Sequence, residues 1–193
     1  TDPSGGVFYP DYFGKDFVLN DLTHDGGLTA IRIEGPTNSV DQRANRLSKE
    51  LGLLDQELSI LDSEQSNIFW SRTKNLEVFK SLKSNLLRIV LPMSETLQVI
   101  QKLKNFEIKY FIDWGGGLIW ASFDQLNTKI LSEIKDTVKK HQGYITLIKV
   151  EEDLKASADI FTIDPIKYKI SEKIKRSFDP KRIFNPGKMY TGI

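Results

Sequence analysis

The sequence predicts an α+β fold: a ferredoxin-like antiparallel or mixed sheet with helices mainly on one face, followed by a C-terminal helix and an extended tail. Three observations carry that expectation. Between residues 86 and 149, strand-like and helix-like apolar patterns succeed each other in the order β-α-β-β-α-β, the split β-α-β unit. A further strand and helix precede it at residues 28–51. Beyond it, an apolar stripe at helical spacing stops before a proline, and the chain ends in a Pro- and Gly-containing segment.

Residues 1–27 hold Phe8, Tyr9, Tyr12, Phe13 and Phe17 without a sustained period, and read as an irregular N-terminal arm or an expression remnant. Rings of that size are costly in water, so the arm packs either on the domain or on polypeptide beyond this chain. The opening Thr1-Asp2-Pro3-Ser4-Gly5-Gly6 is no signal peptide and lacks Met, which reads as an internal start.

The ferredoxin-like body is expected over residues 28–163. Leu28 to Glu34 alternates as a strand. Pro36 and Ser39 mark a helix start, with Ser39 and Gln42 in capping-box spacing and Gly52 as the stop. Glu57 to Leu61 reads as a strand, and Asp62 or Ser63 caps a helix carrying Ile68, Phe69 and Leu76. Leu86 to Pro92 is a strand, Ser94 opens a helix with Leu97, Ile100 and Leu103, and Glu107 to Asp113 is the next strand. Trp114-Gly115-Gly116-Gly117 turns the chain into Leu118 to Ser122. Leu126, Ile130, Ile134 and Val138 follow at helical spacing, and Gly143 to Lys149 closes the unit. Residues 164–193 form the last part: Asp164-Pro165 starts a helix with Ile166, Ile170, Ile174 and Phe178 on one face, and Pro180 ends it.

The 193 residues carry a net charge of +1, so no global field draws the chain to nucleic acid. The absence of Cys excludes disulfides, thiolate catalysis and cysteine-held metal clusters. Two histidines, His24 and His141, stand outside any HxxH pair and read as surface residues, His141 at a helix end. No metal site and no catalytic residue is assigned. The longest apolar runs fall far short of the roughly 20 residues that cross a bilayer.

Arg88 interrupts an apolar strand and shares a face with Leu86 and Val90. It either grips a substrate carboxylate through its two-pronged guanidinium or pairs with an internal acid such as Asp113, which alternatively caps the glycine turn. The triple glycine is no phosphate loop, since no GK[ST] follows.

The C-terminus reads Phe178-Asp179-Pro180-Lys181-Arg182-Ile183-Phe184-Asn185-Pro186-Gly187-Lys188. The ordered pattern F-D-P-x-x-I-x-N-P-G-K resembles the end of FAD-linked oxidases of the vanillyl-alcohol-oxidase type. Asp113-Trp114-Gly115-Gly116 with Trp120 is similar to the hairpin of small flavin-type subunits of bacterial glycolate oxidases. The resemblance covers roughly residues 28–190, with only these two motifs sharp.

It implies a cap domain over FAD held by a missing N-terminal FAD-binding domain of the same protein. Asn185, Gly187 and Lys188 are then directed at the cofactor and Arg88 at a small 2-hydroxy acid. It further implies a larger homologous flavin subunit and an iron–sulfur subunit as partners, no nucleic acid, and a cytoplasmic location, peripheral at the inner membrane through those subunits. The family's histidine cluster is not matched, so this chain alone is expected to be inactive and to hold no FAD. The alternatives are a ferredoxin-like regulatory or interaction domain without a redox role, or a bare substrate-binding module built on Arg88.

Overall fold

The computed structural model describes residues 2–13, 26–52, 58–82, 85–162 and 164–187. Among them are six strands, β1 (Gly5–Tyr9), β2 (Leu28–Arg32), β3 (Asn85–Val90), β4 (Ile108–Asp113), β5 (Leu118–Phe123) and β6 (Tyr144–Lys149). Six α-helices accompany them: α1 (Thr37–Leu51), α2 (Ser63–Lys74), α3 (Thr96–Leu103), α4 (Thr128–Lys140), α5 (Glu152–Ser157) and α6 (Pro165–Phe178). β1 pairs antiparallel with β2 and β4, and β3 pairs antiparallel with β5 and β6. The class is α+β. The chain forms two compact units, Thr1–Lys83 with Tyr110–Gly116, and Ser84–Lys109 with Gly117–Ile193.

The first unit is organised by aromatic rings. β1 brings Val7 and Tyr9 into the interior, so this part of the N-terminal segment is a strand rather than an irregular arm. Gly5 and Gly6 hide its alternation, because they contribute no side chain to the pattern. Their smallness has a use. A Cβ on Gly6 would lie 3.3 Å from the Gly115 Cα, so β1 and the glycine turn touch backbone to backbone.

Tyr9 packs on Phe111 at 4.8 Å between ring centres and meets Phe69 edge-on at 6.2 Å. Its hydroxyl donates to Thr73 Oγ1 at 3.0 Å, and Thr73 passes the bond on to the Phe69 carbonyl. Phe79 stacks on the far side of the cluster, 5.7 Å from Phe111. The Tyr12 hydroxyl accepts the Tyr110 N–H at 2.8 Å and lies 3.1 Å from the Tyr110 carbonyl, clasping β4. Burial raises the pKa of both phenols, so each remains a donor.

Two expectations fail in this unit. Leu58 to Leu61 forms no strand, and Glu57 lies outside the described residues. Ile60 is 76 % exposed. Ser39 does not cap α1. Pro36 stands at the N-cap without a side-chain bond, and its carbonyl accepts from Ser39 and Val40, so the helix begins ahead of the serine. Gly52 does end α1 in the left-handed conformation, and Asp62 with Gln65 forms a complete capping box on α2.

Along the chain the split β-α-β order runs β3-α3-β4-β5-α4-β6, and the second unit holds β3 between β5 and β6, with α3 and α4. One face of this three-stranded group holds Leu87, Ile89, Ile119, Ala121, Phe123, Ile145 and Leu147, all buried. Val99, Ile100 and Leu103 of α3 and Leu131, Ile134 and Val138 of α4 complete the core. The two helices pack on each other, and α4 packs on β6. Gly143 lets this happen, since a Cβ there would come within 2.9 Å of the Val90 carbonyl oxygen and 2.7 Å of Val138.

Candidate functional site

Side chains alternate across a strand, so β3 sends Leu86, Arg88 and Val90 to the face opposite the helical core. Register sets their neighbours: Arg88 lies directly across from Trp120 of β5 on one side and Thr146 of β6 on the other. Val90 faces Leu118 and Tyr144 in the same way. Paired residues share a face with Cβ atoms roughly 5 Å apart. Arg88 is therefore set between an indole and a hydroxyl. All three are half-buried. The outer edge of β6 is closed by Ile160 to Thr162, where the Leu147 N–H donates to the Ile160 carbonyl at 2.8 Å and the Thr162 N–H to the Ile145 carbonyl at 3.0 Å.

Asp113 serves the glycine turn, one of its two expected roles: its Oδ1 accepts the Trp114 N–H at 2.7 Å, which supports the left-handed Trp114 and Gly115 backbone.

The tail is shaped by one carboxylate. Asp179, 5 % exposed, accepts the N–H of Ile183 at 3.0 Å and of Phe184 at 2.9 Å, and pairs with Lys175 at 2.7 Å. Lys175 also donates to the Phe184 carbonyl. This holds Arg182 and Asn185 in the left-handed region, an uncommon conformation for residues with a Cβ. Asn185 and Gly187 are exposed, and Gly187, at φ +69°, has open space around it. Lys188 lies outside the described residues. The sequence-predicted residues thus occupy two elements, Arg88 the sheet face and Asn185 with Gly187 the tail. Thr146 and the Lys175–Asp179 pair are not singled out by the sequence, and Trp120 is singled out only as part of the hairpin motif. Strand register would have placed Thr146 and Trp120, and the four-residue spacing would have found the Lys–Asp pair.

Asp179 has a pH signature. Desolvation pushes its pKa up, but the Lys175 ammonium and the two backbone donors outweigh it and hold the carboxyl down at about 2. An unfolded Asp titrates near ~3.9. A depressed folded pKa contributes stability that is fully present above the unfolded value and is lost as pH falls toward the folded one. The tail loop should therefore hold above roughly pH 4 and open as pH falls toward about 2. NMR amide shifts of Ile183 and Phe184 should titrate together with a midpoint near 2 and stay flat in Asp179→Asn over that range. A common midpoint near ~4 would show that the carboxylate does not organise the loop.

His141 is a correction. It is buried, not at the surface, with Nδ1 2.6 Å from Glu95 Oε2 and Nε2 2.9 Å from Lys102 Nζ. Lysine has only donors, so Nε2 accepts and Nδ1 donates to Glu95. The ring extends the buried stripe of Ile134 and Val138 by one step of three, a position that polarity alone disguised. His24 lies outside the described residues. Among the described residues no group of three His, Asp or Glu side chains is placed to hold a metal, and no helix is long and apolar enough to cross a membrane. Neither a scan against protein-family models nor a search of curated proteins finds a match for the chain.

Proposed function

We propose that this chain is the substrate-side cap of a flavin-dependent oxidoreductase acting on a small 2-hydroxy acid of the glycolate type. The reading rests on the resemblance of its two motifs. The observation that carries it is Arg88, set on the sheet face away from the helical core between Trp120 and Thr146. A guanidinium there meets a carboxylate with two parallel N–H donors. Trp120 offers a flat wall that limits the acid to a short carbon chain, and the Thr146 hydroxyl offers a partner to a 2-hydroxyl.

FAD belongs to a separate domain or to a larger homologous subunit. The tail fits an approach to it in two respects. Asn185 is exposed and its amide has both donors and an acceptor, and the backbone at Gly187 stands clear of neighbours. Asn185, Gly187 and Lys188 are the residues that would meet the cofactor. When bound, FAD supplies the acceptor for the hydride leaving the α-carbon. The chain's own residues orient the acid through Arg88 and hold the tail through Asp179. The complex belongs in the cytoplasm, at the inner-membrane surface with an iron–sulfur subunit.

The test is co-expression with an FAD-binding polypeptide that co-purifies with the chain. The complex should show a flavin absorbance band that bleaches anaerobically with glycolate or another short 2-hydroxy acid. A flavin band that no such acid bleaches would remove the substrate assignment. A band retained by the purified chain alone would remove the division of labour.

A further inference from the structure

α6 is built inside out. Tyr168, Ser171, Glu172 and Lys175, spaced i, i+3, i+4, i+7, are the half-buried residues, so the helix rests on its own unit through a polar face. Its apolar stripe points to solvent: Ile166 is 71 % exposed, Ile170 53 %, Ile174 54 % and Phe178 83 %. The helix is capped at both ends. Asp164 accepts the Ile166 and Lys167 N–H groups at 2.8 and 3.1 Å, and Asp179 closes the other end.

Charge identifies what it meets. α6 carries Lys167, Lys169, Lys173, Lys175 and Arg176 against the single acid Glu172, in a chain whose net charge is only +1. Glu172 sits on the inner face and pairs with Arg176 at 2.9 Å. Lys169, Lys173 and Arg176 line one margin of the stripe, and Lys167 stands at its other side near the N-terminal end. Lysine is depleted in protein interfaces relative to the rest of the surface. A lysine-edged aliphatic stripe instead matches the boundary between anionic headgroups and acyl chains. At 14 residues, about 21 Å long, the helix suits lying in that boundary.

We infer that α6 binds the surface of an anionic lipid bilayer directly, with Ile166, Ile170, Ile174 and Phe178 in the acyl boundary and Lys169 and Lys173 against the headgroups. Membrane contact is then a property of this chain and does not depend on a partner subunit. The inference does not rest on the flavin reading.

Vesicle flotation with the whole chain tests it. The chain should float with phosphatidylcholine vesicles holding about a third phosphatidylglycerol at low salt, at least roughly ten-fold more than with pure phosphatidylcholine, and should release at about 0.5 M salt. Ile170→Asp/Ile174→Asp should abolish flotation, and Lys169→Gln/Lys173→Gln should weaken it roughly ten-fold or more. These side chains are exposed, so circular dichroism should confirm an unchanged fold in both variants. A folded wild-type chain that stays unbound at low salt overturns the inference, as does an aspartate variant that floats like wild type. Dimerisation in sedimentation velocity that the aspartate variant loses, without flotation of the wild type, overturns it in favour of a second copy on the stripe. None of these readouts involves flavin, so they leave the cap reading to its own test.

Discussion

Phe111→Ala should cost about 3–5 kcal/mol of stability, enough to unfold the first unit at ambient temperature or bring it close to that point. The ring has no solvent exposure and lies between Tyr9 and Phe79, at 4.8 and 5.7 Å. Truncation removes its transfer energy and opens a void that rigid neighbours fill poorly. Those neighbours are also tied: Tyr9 is bonded through its hydroxyl to Thr73, so it cannot drop into the space without leaving a buried donor unpaired. Urea denaturation measures the loss. The control is Phe184→Ala, whose ring is 65 % exposed and whose removal should stay within about 0.5 kcal/mol. A Phe111→Ala loss below about 1 kcal/mol would mean that the aromatic cluster is not the core of that unit.

The strands and helices of the second unit were readable because their periodicities are clean. Leu87, Ile89, Ile119, Ala121, Ile145 and Leu147 fall on one face, and the α4 stripe at Leu131, Ile134 and Val138 has the matching helical period. The first unit was harder to read for two physical reasons. Two glycines in β1 erase alternation where a close backbone approach needs them. Leu58 and Ile60 share a period with strands but find no partner, and pairing is a property of the fold and not of the segment.

At the candidate site, the sequence singles out Arg88 and the tail residues but not their surroundings. Trp120 and Thr146 lie far from Arg88 along the chain, and only the β3 register brings them together. The α6 stripe shows the opposite limit. Its spacing was recognised correctly, yet periodicity records that a face is apolar and not which way it points. The direction is decided by the polar set Tyr168, Ser171, Glu172 and Lys175, whose own helical spacing was equally visible but lacks the hydrophobicity that draws attention.

Arg88→Ala should raise KM for a 2-hydroxy acid in the assembled flavoenzyme by roughly 10²- to 10³-fold, with a smaller effect on kcat. Two charge-assisted hydrogen bonds at about 1.5–3 kcal/mol each set that scale, less what water recovers in a half-open site. Arg88→Lys should recover only part of the loss, because an ammonium keeps the charge but not the planar fork. A neutral substrate analogue, with the carboxylate replaced by an amide, should be nearly indifferent to Arg88→Ala, and this separates recognition of the carboxylate from general damage to the sheet. Trp120 gives a second readout, since it lies across from Arg88 on β5. Acid binding should change its fluorescence in wild type, and the change should vanish in Arg88→Ala and return in part in Arg88→Lys. Equal KM values for wild type and Arg88→Ala with the acid would make the arginine a purely structural member of the β3 face. The shared face of Arg88, Trp120 and Thr146 would then need a different ligand, because a cation fixed beside an indole still favours an anionic or aromatic group.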